Sequence, residues 1–181
     1  LQRRRQRQMC IRDRDCDMSV IQKAMDEIGI CFLMAPRHHM AMRHVAASRS
    51  ELGTRTIFNI LGPLANPALV KKQLVGVFSE AWVEPMAQVL KGLGSERAWV
   101  VHGSDGLDEI TTTGVTKVAA LDKGSVSTFT IHPEDANLEL ANPKQLKGGL
   151  PGQNAMALEN LLRGEKGPYR DIVLFLSLIH I

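Results

Sequence analysis

The sequence predicts an α/β domain with a central, mainly parallel sheet flanked by helices. From residue 73 onward, short apolar runs of strand length alternate with longer segments in which apolar residues follow helical spacing. Glycine and proline separate many of these segments. Such alternation is typical of βαβ units, which build parallel sheets. A chain of 181 residues with 44% hydrophobic content is long enough for one hydrophobic core.

The first part of the chain predicts helices around one short strand. Apolar residues at positions 20, 21, 25 and 28 follow helical spacing, and Asp17 or Ser19 is available as the N-cap. Residues 31–34 form an apolar run that predicts a buried strand. Residues 39–50 contain neither glycine nor proline, so they predict a helix.

Two proline dipeptides limit the next segment. Residues 55–61 are largely apolar and either helical or irregular, and Gly62-Pro63 and then Asn66-Pro67 are expected to stop them. A rigid turn in buried surroundings often shapes the wall of a pocket, but ordinary helix termination explains the same residues equally well.

The remaining segments supply the predicted sheet and its helices. The turn residues Asp122-Lys123-Gly124 indicate a hairpin, which adds an antiparallel portion to the sheet. An apolar segment that begins at residues 171–174 is expected to continue as a helix or strand. Strands are predicted at residues 73–78, 98–102, 117–121 and 127–131, and helices at residues 81–93 and 153–163.

The positive charge of the chain is concentrated at its start. Residues 1–14 hold six arginines and one aspartate, a net charge of +5, so the overall charge of +3 leaves −2 for residues 15–181. A slightly acidic body predicts no nucleic-acid partner. The letters MCIRDR near the start and LSLIHI at the end resemble translated adapter sequence. We therefore expect a non-native or disordered basic tail at residues 1–14, the folded domain at residues 15–174, and a non-native tail at residues 175–181.

The cysteines and the hydropathy indicate a compartment. Cys10, Cys16 and Cys31 match no zinc-binding spacing, and an odd count without a disulfide framework indicates a reducing environment. No apolar run approaches the roughly 20 residues needed to span a bilayer. These features predict a cytoplasmic protein without a membrane partner.

An acidic pair follows one predicted strand. Asp108 and Glu109 come after residues 98–102, in a loop that contains Gly103 and Gly106. Ligands of open α/β sheets bind beyond the carboxyl ends of the strands. Two neighbouring carboxylates there could hold Mg²⁺ together with substrate phosphates. A solvated acidic loop is the alternative, and it is the commoner arrangement.

A basic stretch precedes the proline-rich segment. His39 and Arg49 are ten residues apart, which is about 15 Å along a continuous helix, with about 80° between them around the axis. They could border one cavity, and an arginine beside a cavity can grip a planar carboxylate. The alternative is a helix with a solvated basic face. A metal site from His38, His39 and His44 is less favoured, because no acid or cysteine completes a ligand set.

Several long motifs carry a family resemblance. The segment RTIFNILGPLANP at residues 55–67 is similar to a signature of the anthranilate phosphoribosyltransferases. FLMAPRHHMAMRHVAASRSELG precedes it, and QLVGVF, VVHGSDGLDEIT and TGVTKV follow it. The resemblance covers residues 15–174. It implies a partial catalytic domain that transfers the phosphoribosyl group of phosphoribosyl pyrophosphate (PRPP) to anthranilate, in tryptophan biosynthesis.

The resemblance also implies roles for individual residues. Asp108 and Glu109 match the acidic pair that binds Mg²⁺ on the pyrophosphate of PRPP. Arg49 matches the arginine that contacts the anthranilate carboxylate, and His39 matches a histidine of the anthranilate channel. No general acid or base is implied. Residues of the channel wall are matched by Ala35, Pro36, Met42 and Pro63.

The implied fold is the one shared with pyrimidine nucleoside phosphorylases, of which this chain would hold an incomplete large domain. The family's GTGGD-type phosphate loop does not occur in the sequence, so we expect the chain alone to be inactive. The parent enzyme is expected to be a homodimer through N-terminal helices absent here. A pyrimidine nucleoside phosphorylase, or a non-catalytic nucleic-acid-binding relative of the same fold, remains an alternative.

Overall fold

The structure, a computed structural model, describes residues 17–33, 38 and 44–178, without the side chains of Arg49 and Leu178. It divides into two compact units. The first comprises residues 1–68 and 150–155, and the second comprises residues 69–149 and 156–181, in each case as far as these are described.

The described elements of the first unit are helical. Helix α1 (Met18–Ile28) has Asp17 as its N-cap, as expected, with the carboxylate accepting a hydrogen bond of 2.8 Å from the Ser19 amide. The helix ends at Gly29, whose φ of 72° suits glycine. Helix α2 (Ala46–Leu52) and helix α3 (Phe58–Leu64) follow.

Two expectations for residues 31–50 need correction. Residues 31–33 form no strand, because a strand needs a hydrogen-bonding partner and the described strands all belong to the other unit. His44 and Val45 lie in a 3-10 turn, so the α-helix begins only at Ala46 and the helical spacing calculated from residue 39 does not apply. Residues 34–37 and 39–43 lie outside the described residues.

The expected stop at Gly62-Pro63 is also wrong in position. Helix α3 continues through Pro63 and ends one residue later, at Leu64. Proline has no amide hydrogen to donate to the carbonyl four residues earlier, and the helix ends at the residue after it. The Ala65 amide then donates to the Gly62 carbonyl at 3.2 Å and closes the last turn.

The second unit contains a four-stranded sheet of order β1-β2-β3-β4. The predicted α/β class is confirmed, and the antiparallel share of this sheet is larger than expected. Strands β1 and β2 are parallel, whereas β2–β3 and β3–β4 are antiparallel. The strands are β1 (Lys72–Gly76), β2 (Arg97–Gly103), β3 (Thr116–Asp122) and β4 (Ser125–Ile131).

The predicted hairpin joins β3 to β4. Lys123 and Gly124 have φ values of 48° and 76°, the left-handed conformation that a two-residue hairpin turn requires at both positions. Asp122 and Ser125 flank the turn and face each other in the antiparallel register. The hairpin that the turn residues predicted is therefore confirmed.

Helices cover both faces of the sheet. A 3-10 turn (Glu80–Trp82) leads into helix α4 (Val83–Gly92), which packs on β2 and β3. Val83, Met86, Ala87 and Leu90 recur at helical spacing and form the buried stripe of α4. On the other face, Phe175 packs with Val101, Ile110 and Val118.

The remaining elements follow β4. They are a 3-10 turn (Pro133–Ala136), helix α5 (Pro151–Leu162) and helix α6 (Pro168–Leu178). Helix α6 runs past residue 174, and Phe175 is only 5% exposed. The assignment of residues 175–181 to a non-native tail stays a prediction. Among the described residues, no helix combines the length and the apolarity of a membrane span.

Candidate magnesium-binding loop

The predicted acidic pair lies in the loop that connects β2 to β3. Strand β2 ends at Gly103, and its neighbour β1 runs parallel to it, so the carboxyl ends of both strands meet at one edge of the sheet. The loop turns back at once: the Gly106 amide donates to the Gly103 carbonyl at 2.9 Å, and the Gly103 amide donates to the Leu107 carbonyl at 2.8 Å. The loop is therefore tight where it leaves the sheet.

A glycine in β1 allows the loop to lie against the sheet edge. A Cβ atom added to Gly76 would lie 1.8 Å from the carbonyl oxygen of Asp108 and 2.6 Å from its carbonyl carbon. Only a residue without a side chain can occupy Gly76 at this approach, because both partners are backbone. The close contact places the Asp108 backbone at the carboxyl end of β1. This is the edge at which the sequence predicted a site.

Asp105 ties the two ends of the loop together. One of its oxygens, Oδ1, accepts a hydrogen bond of 3.0 Å from the Leu107 amide. The other, Oδ2, accepts bonds from the hydroxyls of Thr111 at 2.9 Å and Thr113 at 2.7 Å. Both oxygens of this carboxylate are thus engaged inside the loop.

The acidic pair itself is left without such partners. Within the described part of the chain, neither Asp108 nor Glu109 forms an ion pair, and neither carboxylate accepts a hydrogen bond. Both residues are half-buried, and the next residue, Ile110, is fully buried and anchors them. Burial raises the pKa of the Glu109 carboxyl, and the negative charge of Asp108 raises it further.

We expect Glu109→Gln to stabilise the metal-free chain at neutral pH. Because the pKa of Glu109 is raised on folding, the folded state is penalised at pH values above the unfolded pKa, near 4.5, and the penalty is complete above the folded pKa. The neutral glutamine escapes the penalty. The unfolding midpoint of the variant should therefore exceed that of the wild type at about pH 7.5 and match it below about pH 4.

A matched control is Glu96→Gln, which removes a charge from an exposed glutamate immediately before β2. That variant should show no gain in stability that grows with pH. An equal pH-dependent gain in both variants would mean that overall charge, and not the burial of Glu109, sets the effect.

The oxygen ligands of the pair suit Mg²⁺. Carboxylate oxygens are hard donors, and Mg²⁺ commonly binds one or two protein carboxylates while waters and substrate phosphates fill its other positions. No group of three or more His, Cys, Asp or Glu side chains that could hold a metal is found among the described residues. The pair thus fits a cation that is shared with a phosphorylated ligand better than a closed structural metal site.

The remaining predicted site residues belong to the first unit. Arg49 lies in α2, and its side chain is outside the described residues. Pro63 is half-buried in the last turn of α3. Pro36, His39 and Met42 lie outside the described residues.

Sequence reasoning missed two residues that shape the loop. Gly76 interrupts the apolar run of residues 74–78, and an isolated glycine in a predicted strand often indicates close backbone approach. Asp105 stands in a Ser-Asp-Gly sequence, which is typical of a turn closed by an aspartate side chain. Both signals were present, but neither identifies its distant partner.

A comparison with protein families decides the class of the chain. A family model described as "Glycosyl transferase family, a/b domain" matches residues 14–179. The chain belongs to this family.

Relatives of this chain bear out its resemblance to anthranilate phosphoribosyltransferases. A protein of that name from Rhodospirillum rubrum is 60% identical over 161 residues, which are 89% of this chain and 46% of the relative. The anthranilate phosphoribosyltransferase from Saccharomyces cerevisiae in complex with 4-fluoroanthranilate superposes with a TM-score of 0.81 and 32% identity, covering 91% of this chain and 48% of that one. The expected fold is thereby confirmed.

A second yeast structure concerns the ligands. The anthranilate phosphoribosyltransferase from Saccharomyces cerevisiae in complex with PRPP and Mg matches with a TM-score of 0.80 and 33% identity, covering 91% of this chain and 49% of that one. Use of Mg²⁺ within the family is therefore supported. The chain spans about half the length of the relatives it matches.

Proposed function

We propose that this chain is part of an enzyme that transfers the phosphoribosyl group of PRPP to anthranilate. The products would be N-(5-phosphoribosyl)anthranilate and pyrophosphate, a step of tryptophan biosynthesis. The names of the bacterial relatives and the ligands of the yeast structures support this assignment. The parent enzyme would act in the cytoplasm as a homodimer.

The observation that carries the proposal is the unpaired acidic pair at the sheet edge. Asp108 and Glu109 have no protein partner among the described residues, and burial together with mutual repulsion raises the pKa of Glu109. Two half-buried carboxylates without a cation destabilise the fold. Ionisable groups with such shifted pKa values cluster at functional sites. We infer that the two carboxylates hold Mg²⁺ against the pyrophosphate of PRPP.

The reaction mainly requires that the two substrates are positioned and that the charge on the departing pyrophosphate is stabilised. The amine nitrogen of anthranilate would form a bond to C1 of the ribose, while the bond from C1 to the pyrophosphate oxygen breaks and its electron pair leaves with pyrophosphate. The amine then loses a proton to solvent. Bound Mg²⁺ supplies charge stabilisation to the departing pyrophosphate. No general base is assigned, because a neutral aromatic amine is already nucleophilic.

The residues proposed to bind anthranilate are those that match the anthranilate channel of the family. Arg49 would hold the anthranilate carboxylate through two parallel hydrogen bonds, the geometry for which a guanidinium is suited. His39 would line the path of the substrate. Apolar walls would be formed by Pro36, Met42 and Pro63.

A chimera tests the proposal as a whole. Residues 15–174 would replace the matching segment of the Rhodospirillum rubrum relative, whose identity of 60% makes compatible packing the expected result. We expect the chimera to consume anthranilate only when PRPP and Mg²⁺ are both present, and the 181-residue chain alone to be inactive. A folded chimera without this activity, or one that cleaves pyrimidine nucleosides with phosphate, would overturn the assignment.

Arg49→Ala in the chimera should raise the KM for anthranilate by roughly 100-fold, the loss expected for a charge-assisted pair of hydrogen bonds, while the KM for PRPP stays within about twofold. Steady-state kinetics with each substrate varied in turn would measure this. Arg55→Ala, a neighbouring arginine without an assigned role, is the control. Equal effects of Arg49→Ala on both substrates would contradict its assignment.

A further inference from the structure

The loop of the acidic pair contains a third carboxylate, which forms hydrogen bonds within the loop. Asp105 comes three residues before Asp108, and its two oxygens accept three hydrogen bonds, all from within the loop. An ionised carboxylate only accepts hydrogen bonds, so these contacts use much of its capacity. Asp105 is therefore poorly placed to be a metal ligand itself.

The partners of Asp105 lie on both sides of the acidic pair. The Leu107 amide comes before the pair, whereas the hydroxyls of Thr111 and Thr113 come after it. The carboxylate thus closes a small ring of chain from which Asp108 and Glu109 project. This closure adds to the other attachments of the segment, which are the buried Ile110 and the contact of the Asp108 backbone with Gly76.

The threonines are fixed in turn. The Thr113 amide donates to the Thr111 hydroxyl at 3.0 Å, and the Thr111 amide donates to the Thr116 hydroxyl at the start of β3, also at 3.0 Å. Thr111 and Thr116 are fully buried. A Cβ added to Gly103 would lie 2.7 Å from Asp105 Oδ1, so the carboxylate also packs against the end of β2. The network connects the loop to both strands that it joins.

From these contacts we propose that Asp105, through the hydroxyls of Thr111 and Thr113, is a positioning residue that presents Asp108 and Glu109 to a divalent cation. This inference rests on the metal role of the pair proposed above. Partners that orient metal ligands typically contribute about 10- to 100-fold to metal affinity. The affinity of the pair should therefore depend on side chains that do not touch the cation.

The test uses the 181-residue chain labelled with ¹⁵N, with Mn²⁺ as the probe. In the wild type, Mn²⁺ should broaden the amide signals of the β2–β3 loop, centred on residues 108–110, more strongly than those at the opposite ends of β2 and β3. Asp105→Asn should raise the apparent Kd for Mn²⁺ by about tenfold, and Thr113→Val by about threefold. Thr113→Ser keeps the hydroxyl and should stay within about twofold of the wild type, which a loss of bulk packing would not explain.

The control is Asp122→Asn. It makes the same change in charge and breaks the 2.9 Å ion pair with Arg97, but at the opposite end of β2 and β3. It should leave the Kd for Mn²⁺ unchanged within about twofold. Selective broadening in the wild type, with Asp105→Asn and Thr113→Val no weaker than Asp122→Asn, would overturn the positioning role alone. Absence of broadening at residues 108–110 in the wild type would overturn the metal role of the pair and the positioning role with it.

Discussion

Gly76→Ala is expected to destabilise the second unit by about 2–3 kcal/mol, the usual cost of forcing extra volume into a packed site. The new Cβ would lie 1.8 Å from the carbonyl oxygen of Asp108, far inside van der Waals contact. Neither side can move easily, because Gly76 is paired with Val101 in the sheet and the Asp108 backbone is flanked by the buried Ile110. Urea denaturation of the chain would measure the loss.

The same substitution should also weaken Mn²⁺ binding, because the loop must move away from β1 to relieve the overlap. Gly92→Ala is the matched control: it adds the same methyl group at the last residue of α4, where nothing lies within 4 Å. It should be neutral or slightly stabilising, since alanine favours a helix over glycine. A Gly76→Ala protein as stable as Gly92→Ala would show that the Asp108 backbone does not lie against β1.

The elements of the sheet could be predicted because their signals are local. Strand β2 contains a short continuous apolar run at residues 98–101, and the turn at Lys123-Gly124 needs only two positions with left-handed backbone. The wrong prediction of a strand at residues 31–34 has a different cause, because a strand needs a hydrogen-bonding partner elsewhere in the chain. Residues 31–33 are apolar enough for a strand, but no described strand lies in their unit to pair with them. The sequence pattern also placed the end of helix α3 too early, because proline disfavours continuation of a helix without fixing its last residue.

The site shows the same division between local and distant signals. Asp108 and Glu109 could be placed at the sheet edge because ligand-binding loops follow the carboxyl ends of strands. The contact of Gly76 with Asp108 joins two different strand ends, so no pattern in either segment contains it. The roles of Arg49 and His39 come from the family resemblance, and they stay predictions.

The double variant Asp108→Asn, Glu109→Gln should lower kcat of the chimera by about a thousandfold at limiting Mg²⁺, which is the scale for removing preorganised stabilisation of a developing charge. Amides are close in size to carboxylates, so the loop can keep its shape. They lack the negative charge that holds Mg²⁺, and the departing pyrophosphate would lose its counter-charge. Kinetics across a range of Mg²⁺ concentrations would measure the effect, and an unchanged kcat at limiting Mg²⁺ would refute the metal assignment.

Stability and activity should move in opposite directions at this pair. Glu109→Gln is expected to stabilise the metal-free chain at neutral pH, because burial and the charge of Asp108 raise the pKa of the wild-type carboxyl. The same change should lower turnover in the chimera. A residue that weakens the fold but supports the reaction is retained for its function, since packing alone would favour its neutral counterpart. If Glu109→Gln raised stability and left turnover intact, Glu109 would be no more than a buried acid in a loop.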